Sequence, residues 1–255
     1  MMTHLMKPKK IRSEFIVKNK EFLTPHLIRV VFDINENQAE LLKQVQSGSN
    51  NKIFIPAGEM RGEPLVRTYT NRKIDLENLE LTIDFVYHGE SGPASAWALQ
   101  VNVGDSLEIG MKESTRALVP DADFYLFVGD ATALPVICSI VEQLPSYVKA
   151  KVLLEVHGKE DELILCSAAD ITVEWLHNLQ PEKGSRLSER TKQFEFPKGI
   201  LKEYVYVAGE YTTVRDLRSY FKTTLQWDLH GLYACSYWRA GQSEDEHPTK
   251  TDNNG

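Results

Sequence analysis

Near residue 120 the hydrophobic periodicity of the chain changes, and any fold must accommodate both sides of that change. Before it, apolar and polar residues alternate over short runs. From Leu79 to His88 the alternation is clean: Leu79, Leu81, Ile83, Phe85 and Tyr87 share one face, and Glu80, Thr82, Asp84, Val86 and His88 mostly the other. That is the pattern of a half-buried antiparallel strand. Weaker strand signals stand at 27–34 (LIRVVFDI), 52–55 (KIFI), 65–70 (LVRTYT) and 106–109 (SLEI), separated by Pro, Gly and Asn. Five or six strands at this spacing predict a small antiparallel β-barrel, in which closure removes exposed edges.

After residue 120 apolar runs of strand length alternate with helical patterns. FYLFVGD (124–130) leads into ALPVICSIVEQL (133–144), and KVLLEV (151–156) into a helix expected near 171–179. EYVYVAGE (203–210) leads into TVRDLRSYFKTTL (213–225), followed by GLYACSYW (231–238). Such alternation predicts a parallel sheet flanked by helices. The expected organisation is an antiparallel β domain over 11–119, a parallel α/β domain over 120–242 and a disordered tail over 243–255, with 181–193 (PEKGSRLSERTKQ) a polar surface loop.

Charge and cysteine usage exclude several classes. A formal charge of −7 argues against general binding of nucleic acid or acidic membrane. A local basic excess stands at Lys7, Lys9, Lys10, Arg12, Lys18 and Lys20 against Glu14, read as a solvated, frayed N-terminus, with a docking surface as the alternative. Cys138, Cys166 and Cys235 show neither a disulfide framework nor zinc spacing, and His26, His88, His157, His177 and His230 show no metal-binding spacing. The opening lacks a signal-peptide apolar run, and no stretch of roughly 18 apolar residues occurs, so a cytoplasmic protein is expected.

Three motifs could carry chemistry. In HGESGPASAW (88–97), Pro93 suits the first turn of a helix, and Gly92, Ala94 and Ser95 add no bulk, so a phosphate could approach the free N–H groups. The alternative is a strand-to-helix turn capped by Ser91. In VRTYTNR (66–72), Arg67 and Tyr69 project from one face, a phosphate clamp beside a flat aromatic wall, or simply cross-strand packing. VGDATALP (128–135) stands at the carboxyl end of the first parallel strand, where ligands bind in open α/β sheets, yet neither GxGxxG nor a Walker lysine is present. VAGEYTTVRDLR (207–218) repeats the arrangement, and Glu210 there could meet a ribose or favour the helix dipole.

The order RTYT, HGxxGPASxWA, GDxTALP, AGE and YWRxG, over residues 11–242, resembles the siderophore-interacting protein family, FAD-dependent ferric-siderophore reductases related to the ferredoxin-reductase superfamily. The resemblance implies a flavin-binding barrel followed by an NAD(P)-binding-like domain of ferredoxin-reductase type. Carried over by motif, Arg67, Tyr69 and Thr70 hold the flavin ring and phosphate region; His88, Gly92, Ala94 and Ser95 take the rest of the FAD; Thr132 is a further contact. The family usually has an acidic residue where this chain has Ala131, which bears on whether NAD(P)H or reduced ferredoxin supplies the electrons. No protein acid, base or bound metal is required, because flavin accepts electrons in pairs and releases them singly to ferric iron. An anionic ferric siderophore, such as a catecholate, calls for basic side chains, and Lys52, Arg72 and Arg239 are candidates by proximity to the motifs, with a solvated-surface role as the alternative for each. Two other readings are a different flavin reductase of the same superfamily and a non-enzymatic siderophore-binding protein.

Overall fold

The computed structural model describes residues 8–56, 62–88 and 92–242. The opening residues 1–7, the Ser91 cap and the tail 243–255 lie outside the described residues. The chain divides into two units, Met1–Leu118 and Val119–Gly255.

The first unit is organised by β1 (Lys10–Thr24), fifteen residues long and paired on both sides. The expected frayed N-terminus is therefore, from Lys10 onward, a central strand. Its inward positions, Ile11, Phe15 and Val17, are buried, while Lys10, Arg12 and Lys18 are exposed. Those exposed cations dilute the apolar signal. The remaining elements are β2 (Leu27–Asp33), α1 (Glu36–Leu42), β3 (Asn50–Ile55), β4 (Leu65–Thr70), β5 (Lys73–Asp75), β6 (Glu80–Val86), α2 (Pro93–Gln100) and β7 (Ser106–Lys112). Seven antiparallel strands lie in the order β4-β3-β7-β1-β2-β6-β5. In a flat sheet β4 and β6 would stand about 24 Å apart at the usual strand spacing. The Tyr69 ring of β4 nevertheless lies 4.6 Å from that of Phe85 in β6, so the sheet curls as the expected barrel does. Phe15, Phe32, Ile53, Ile83, Phe85, Leu107 and Ile109 fill its interior.

One strand departs from its expected half-burial. In β6 both faces are buried from Leu81 to Phe85, because Asp84 on the polar face accepts a two-pronged bond from Arg29 at 2.7 and 2.8 Å. Leu79, expected to open this strand, instead adopts a left-handed turn conformation, φ 55°.

The second unit contains β8 (Phe124–Asp130), α3 (Leu134–Val141), β9 (Lys149–Val156), β10 (Asp170–His177), α4 (Leu187–Lys192), β11 (Glu203–Glu210), α5 (Tyr211–Ser219) and β12 (Leu232–Trp238). Its five strands are parallel, in the order β10-β9-β8-β11-β12. The helix expected near 171–179 is the strand β10. Ile171, Thr172, Val173 and Trp175 favour an extended chain, and β10 pairs with β9 from Asp170↔Lys149 to His177↔Val156 without a register shift. The polar loop expected at 181–193 holds the helix α4, which buries Leu187 and Thr191. Among the described residues no helix is long and apolar enough to cross a membrane, and no cluster of His, Cys, Asp or Glu is arranged to hold a metal ion.

Candidate functional site

In the first unit, an aromatic run connects two of the motifs. Tyr69 of β4 packs on Phe85, and Phe85 lies 5.5 Å from Trp97 of α2, so the RTYT strand and the GPAS helix are neighbours. Gly92 is the N-cap of α2, and Pro93 opens its first turn. Pro93 has no N–H, and the N–H groups of Ala94 and Ser95 lie in the first turn, where no helical carbonyl accepts them; the first helical bond runs from Ala96 N–H to Gly92 O at 2.8 Å. The Ser95 hydroxyl accepts from the His88 N–H at 3.3 Å, tying the end of β6 to the helix start. A Cβ at Gly92 would come 2.5 Å from His88 Cε1, so the imidazole rests against the helix start and would have to shift to admit a larger residue there. At the other end of α2, Lys20 Nζ donates to Leu99 O and Val101 O at 2.9 and 2.7 Å. A cation there complements the negative end of the helix.

Arg67 and Tyr69 are half-buried in β4, and Thr70 is buried. Arg67 Nη1 donates to Val66 O at 2.9 Å. Lys52, across from Thr68 in β3, donates to the Thr68 hydroxyl. Arg72 is turned inward: its side chain is 11% exposed, with Nε 3.7 Å from Asp84 Oδ2.

In the second unit the remaining motifs meet at the carboxyl ends of the strands. Asp130 Oδ1 accepts from the Thr132 N–H at 2.9 Å and from its hydroxyl at 2.5 Å. Asp130 Oδ2 accepts from the Glu210 N–H and from the Trp238 indole, each at 2.8 Å. Burial pushes this carboxyl's pKa up, and the bonds from Thr132, Trp238 and Glu210 oppose the shift. Thr132 thus spends its hydroxyl on Asp130. Arg239 lies with its guanidinium 4.5 Å over the ring of Tyr211, and Arg215 approaches the same ring at 5.5 Å. The Tyr206 and Tyr237 hydroxyls stand 3.2 Å apart, and burial holds both phenols protonated, well above their ordinary pKa. Asp130, Tyr211 and Arg215 were not singled out as site residues from sequence. One signal for Asp130 was present: Gly129-Asp130 and Gly209-Glu210 repeat a glycine–acid pair at the ends of adjacent strands.

Residues 122–241 match the family described as siderophore-interacting protein, and residues 56–113 match the siderophore-interacting FAD-binding domain. The ferric vibriobactin reductase ViuB of Vibrio cholerae is 30% identical over 211 residues, covering 83% of this chain and 76% of its own. The chain belongs to the siderophore-interacting protein family. Solved structures in this family agree with the fold. The siderophore-interacting protein SipS from Aeromonas hydrophila superposes with a TM-score of 0.80 at 30% identity, over 92% of this chain and 94% of that one. A siderophore utilization protein from T. fusca gives 0.79 at 26% identity, over 93% and 97%.

The FAD-binding match of this family contains β4, β5, β6, α2 and β7, so the residues there can be tested against the cofactor. They fit. A helix start with a glycine N-cap suits a diphosphate, and β4 supplies the Arg67 cation and the flat Tyr69 ring two positions apart.

Proposed function

We propose that the protein is a ferric-siderophore reductase that uses FAD. The observation that carries this reading is the convergence of the RTYT strand and the GPAS helix within the segment matched to the FAD-binding domain. Arg67, Tyr69 and Thr70 would hold the flavin and its phosphate region; His88, Gly92, Ala94 and Ser95 would hold the rest. Bound FAD takes up electrons in pairs and hands them on singly, which suits a one-electron acceptor such as ferric iron. The chain itself supplies position and electrostatics. Arg67 offsets phosphate charge, the Tyr69–Phe85–Trp97 run fixes the wall between strand and helix, and Lys20 holds the far end of α2.

The substrate is a ferric siderophore, of anionic catecholate type in our reading, brought to the protein in the cytoplasm. Lys52 and Arg239 remain the cations assigned to it from the sequence, and Arg215 joins Arg239 because both face Tyr211. Arg72 is left out of this role because its charge is directed at the buried Asp84. In this reading residues 11–119 form the FAD-binding domain and 120–242 the NAD(P)-binding-like domain, and the donor is either NAD(P)H or reduced ferredoxin. Reduction frees the metal because hard oxygen donors hold ferrous iron less firmly than ferric.

The test is to purify the protein, identify any released flavin by mass spectrometry, and trap Fe(II) with a ferrous-specific chelator during anaerobic turnover of a ferric catecholate with a chemical reductant. The expected result is FAD near one per chain and Fe(II) formation well above the rate without protein. Absence of flavin, even after reconstitution, would refute the reading.

A further inference from the structure

In an open parallel sheet, ligands enter at the carboxyl ends of the strands, where the strand order reverses. The order β10-β9-β8-β11-β12 puts that reversal between β8 and β11, so the crevice lies between the turn at Asp130–Ala133 and the turn at Gly209–Thr212. A pyridine dinucleotide would be held here by its diphosphate, which needs unused backbone N–H groups at a helix start and little competing negative charge.

The donor set does not meet that need. Asp130 takes the N–H of Thr132 from its own turn, the N–H of Glu210 from the opposite turn and the indole N–H of Trp238 from the end of β12. Glu210 repeats the device. Its Oε2 accepts from the N–H groups of Thr212 and Thr213 at the start of α5, at 2.5 and 3.2 Å, and its Oε1 from the Ala240 N–H at 3.5 Å. The start of α3 has little left to offer: the N–H groups of Ala133 and Leu134 close on Asp130 O and Ala131 O at 3.0 and 3.3 Å, and Pro135 has none. The backbone also leaves no gap beside Asp130. Gly209 has a φ of 145°, and a Cβ there would stand 2.5 Å from Asp130 Oδ2. Two cations near the start of α5, Arg215 and Arg239, lie over the ring of Tyr211 at 5.5 and 4.5 Å.

We infer that Asp130 and Glu210 close this crevice to a nucleotide diphosphate, so that neither NADH nor NADPH is held there and the reducing equivalents come from a donor of another class. The inference rests on the reductase reading only for its consequence; the exclusion is a property of the α/β unit. Binding of NADPH, NADP+ and ADP-ribose to the full chain is measured by isothermal titration calorimetry, with and without added FAD. A loss of FAD binding, which would sink the reductase reading, is thereby recorded separately from nucleotide binding. The wild-type protein is expected to show no saturable nucleotide binding below about 1 mM. The variant carrying Asp130→Asn and Glu210→Gln is expected to bind ADP-ribose at least about tenfold more tightly, since charge repulsion is removed. Circular dichroism checks that it folds, and Glu210→Gln alone, at the more exposed of the two positions, serves if it does not. Saturable wild-type binding at micromolar nucleotide, weakened by Arg215→Met or Arg239→Met, would overturn the inference. So would a folded variant that binds nucleotide no better than the wild type.

Discussion

Asp84 shows how much one side chain carries. It is 3% exposed in β6, gripped by both prongs of Arg29 and approached by Arg72. Asp84→Ala removes the buried carboxylate that two largely buried guanidinium groups face, and the expected loss is about 3–5 kcal/mol in urea unfolding of the full chain. An unchanged midpoint would contradict the assignment. Arg72→Met is expected to lower stability, whereas Arg239→Met, at an exposed position, is expected to leave it nearly unchanged. A second test at this scale concerns Gly92. In Gly92→Ala the new methyl displaces the His88 ring from the start of α2, so FAD affinity should fall about tenfold, the scale of 1.4 kcal/mol. In a His88→Ala background the same methyl meets no ring and should cost much less; additive losses in fluorescence titrations would count against this geometry.

At the scale of the element, α2 is held at its start by nearby His88 and at its carboxyl end by Lys20, far away in sequence. Lys20→Met removes the cation from its carboxyl end and should weaken FAD binding with only a small drop in melting temperature. Lys20 was legible only as one of several basic residues near the N-terminus, because its partners are two backbone carbonyls some eighty positions away. Likewise β1 and β10 were hard to read. One has lysines on its outer face, and the other mixes apolar with polar residues at a sheet edge, where burial is partial. Glu174 ties β10 to its surroundings through Arg190 Nε and Nη2 and through Lys151 Nζ at 2.9 Å. The Arg190 hydrogen bonds, foremost, hold its carboxyl below the usual range. Its folded pKa is therefore lower than its unfolded one, so its contribution is present above the unfolded value and is lost as pH falls through the folded value. Glu174→Gln should cost about 1–2 kcal/mol at pH 7 and progressively less below about pH 4, checked by urea melts across that range. A cost independent of pH would argue against the ion pairs.

Across the whole molecule, the change of periodicity near residue 120 marked where antiparallel pairing gives way to parallel pairing. The motifs around Arg67 and Gly92 were legible because each is local. The carboxylate lattice at Asp130 was not, because it joins strand ends 80 and 108 positions apart, and only the fold brings Glu210 and Trp238 to one carboxyl group. The central claim is that this chain binds FAD and passes electrons from it to chelated ferric iron. The most direct measurement is an anaerobic visible spectrum of the purified, chemically reduced protein during titration with a ferric catecholate. The account predicts that the oxidised flavin spectrum returns in proportion to added iron, with two equivalents of iron consumed per FAD. A reduced flavin spectrum that stays unchanged after excess ferric complex would contradict it.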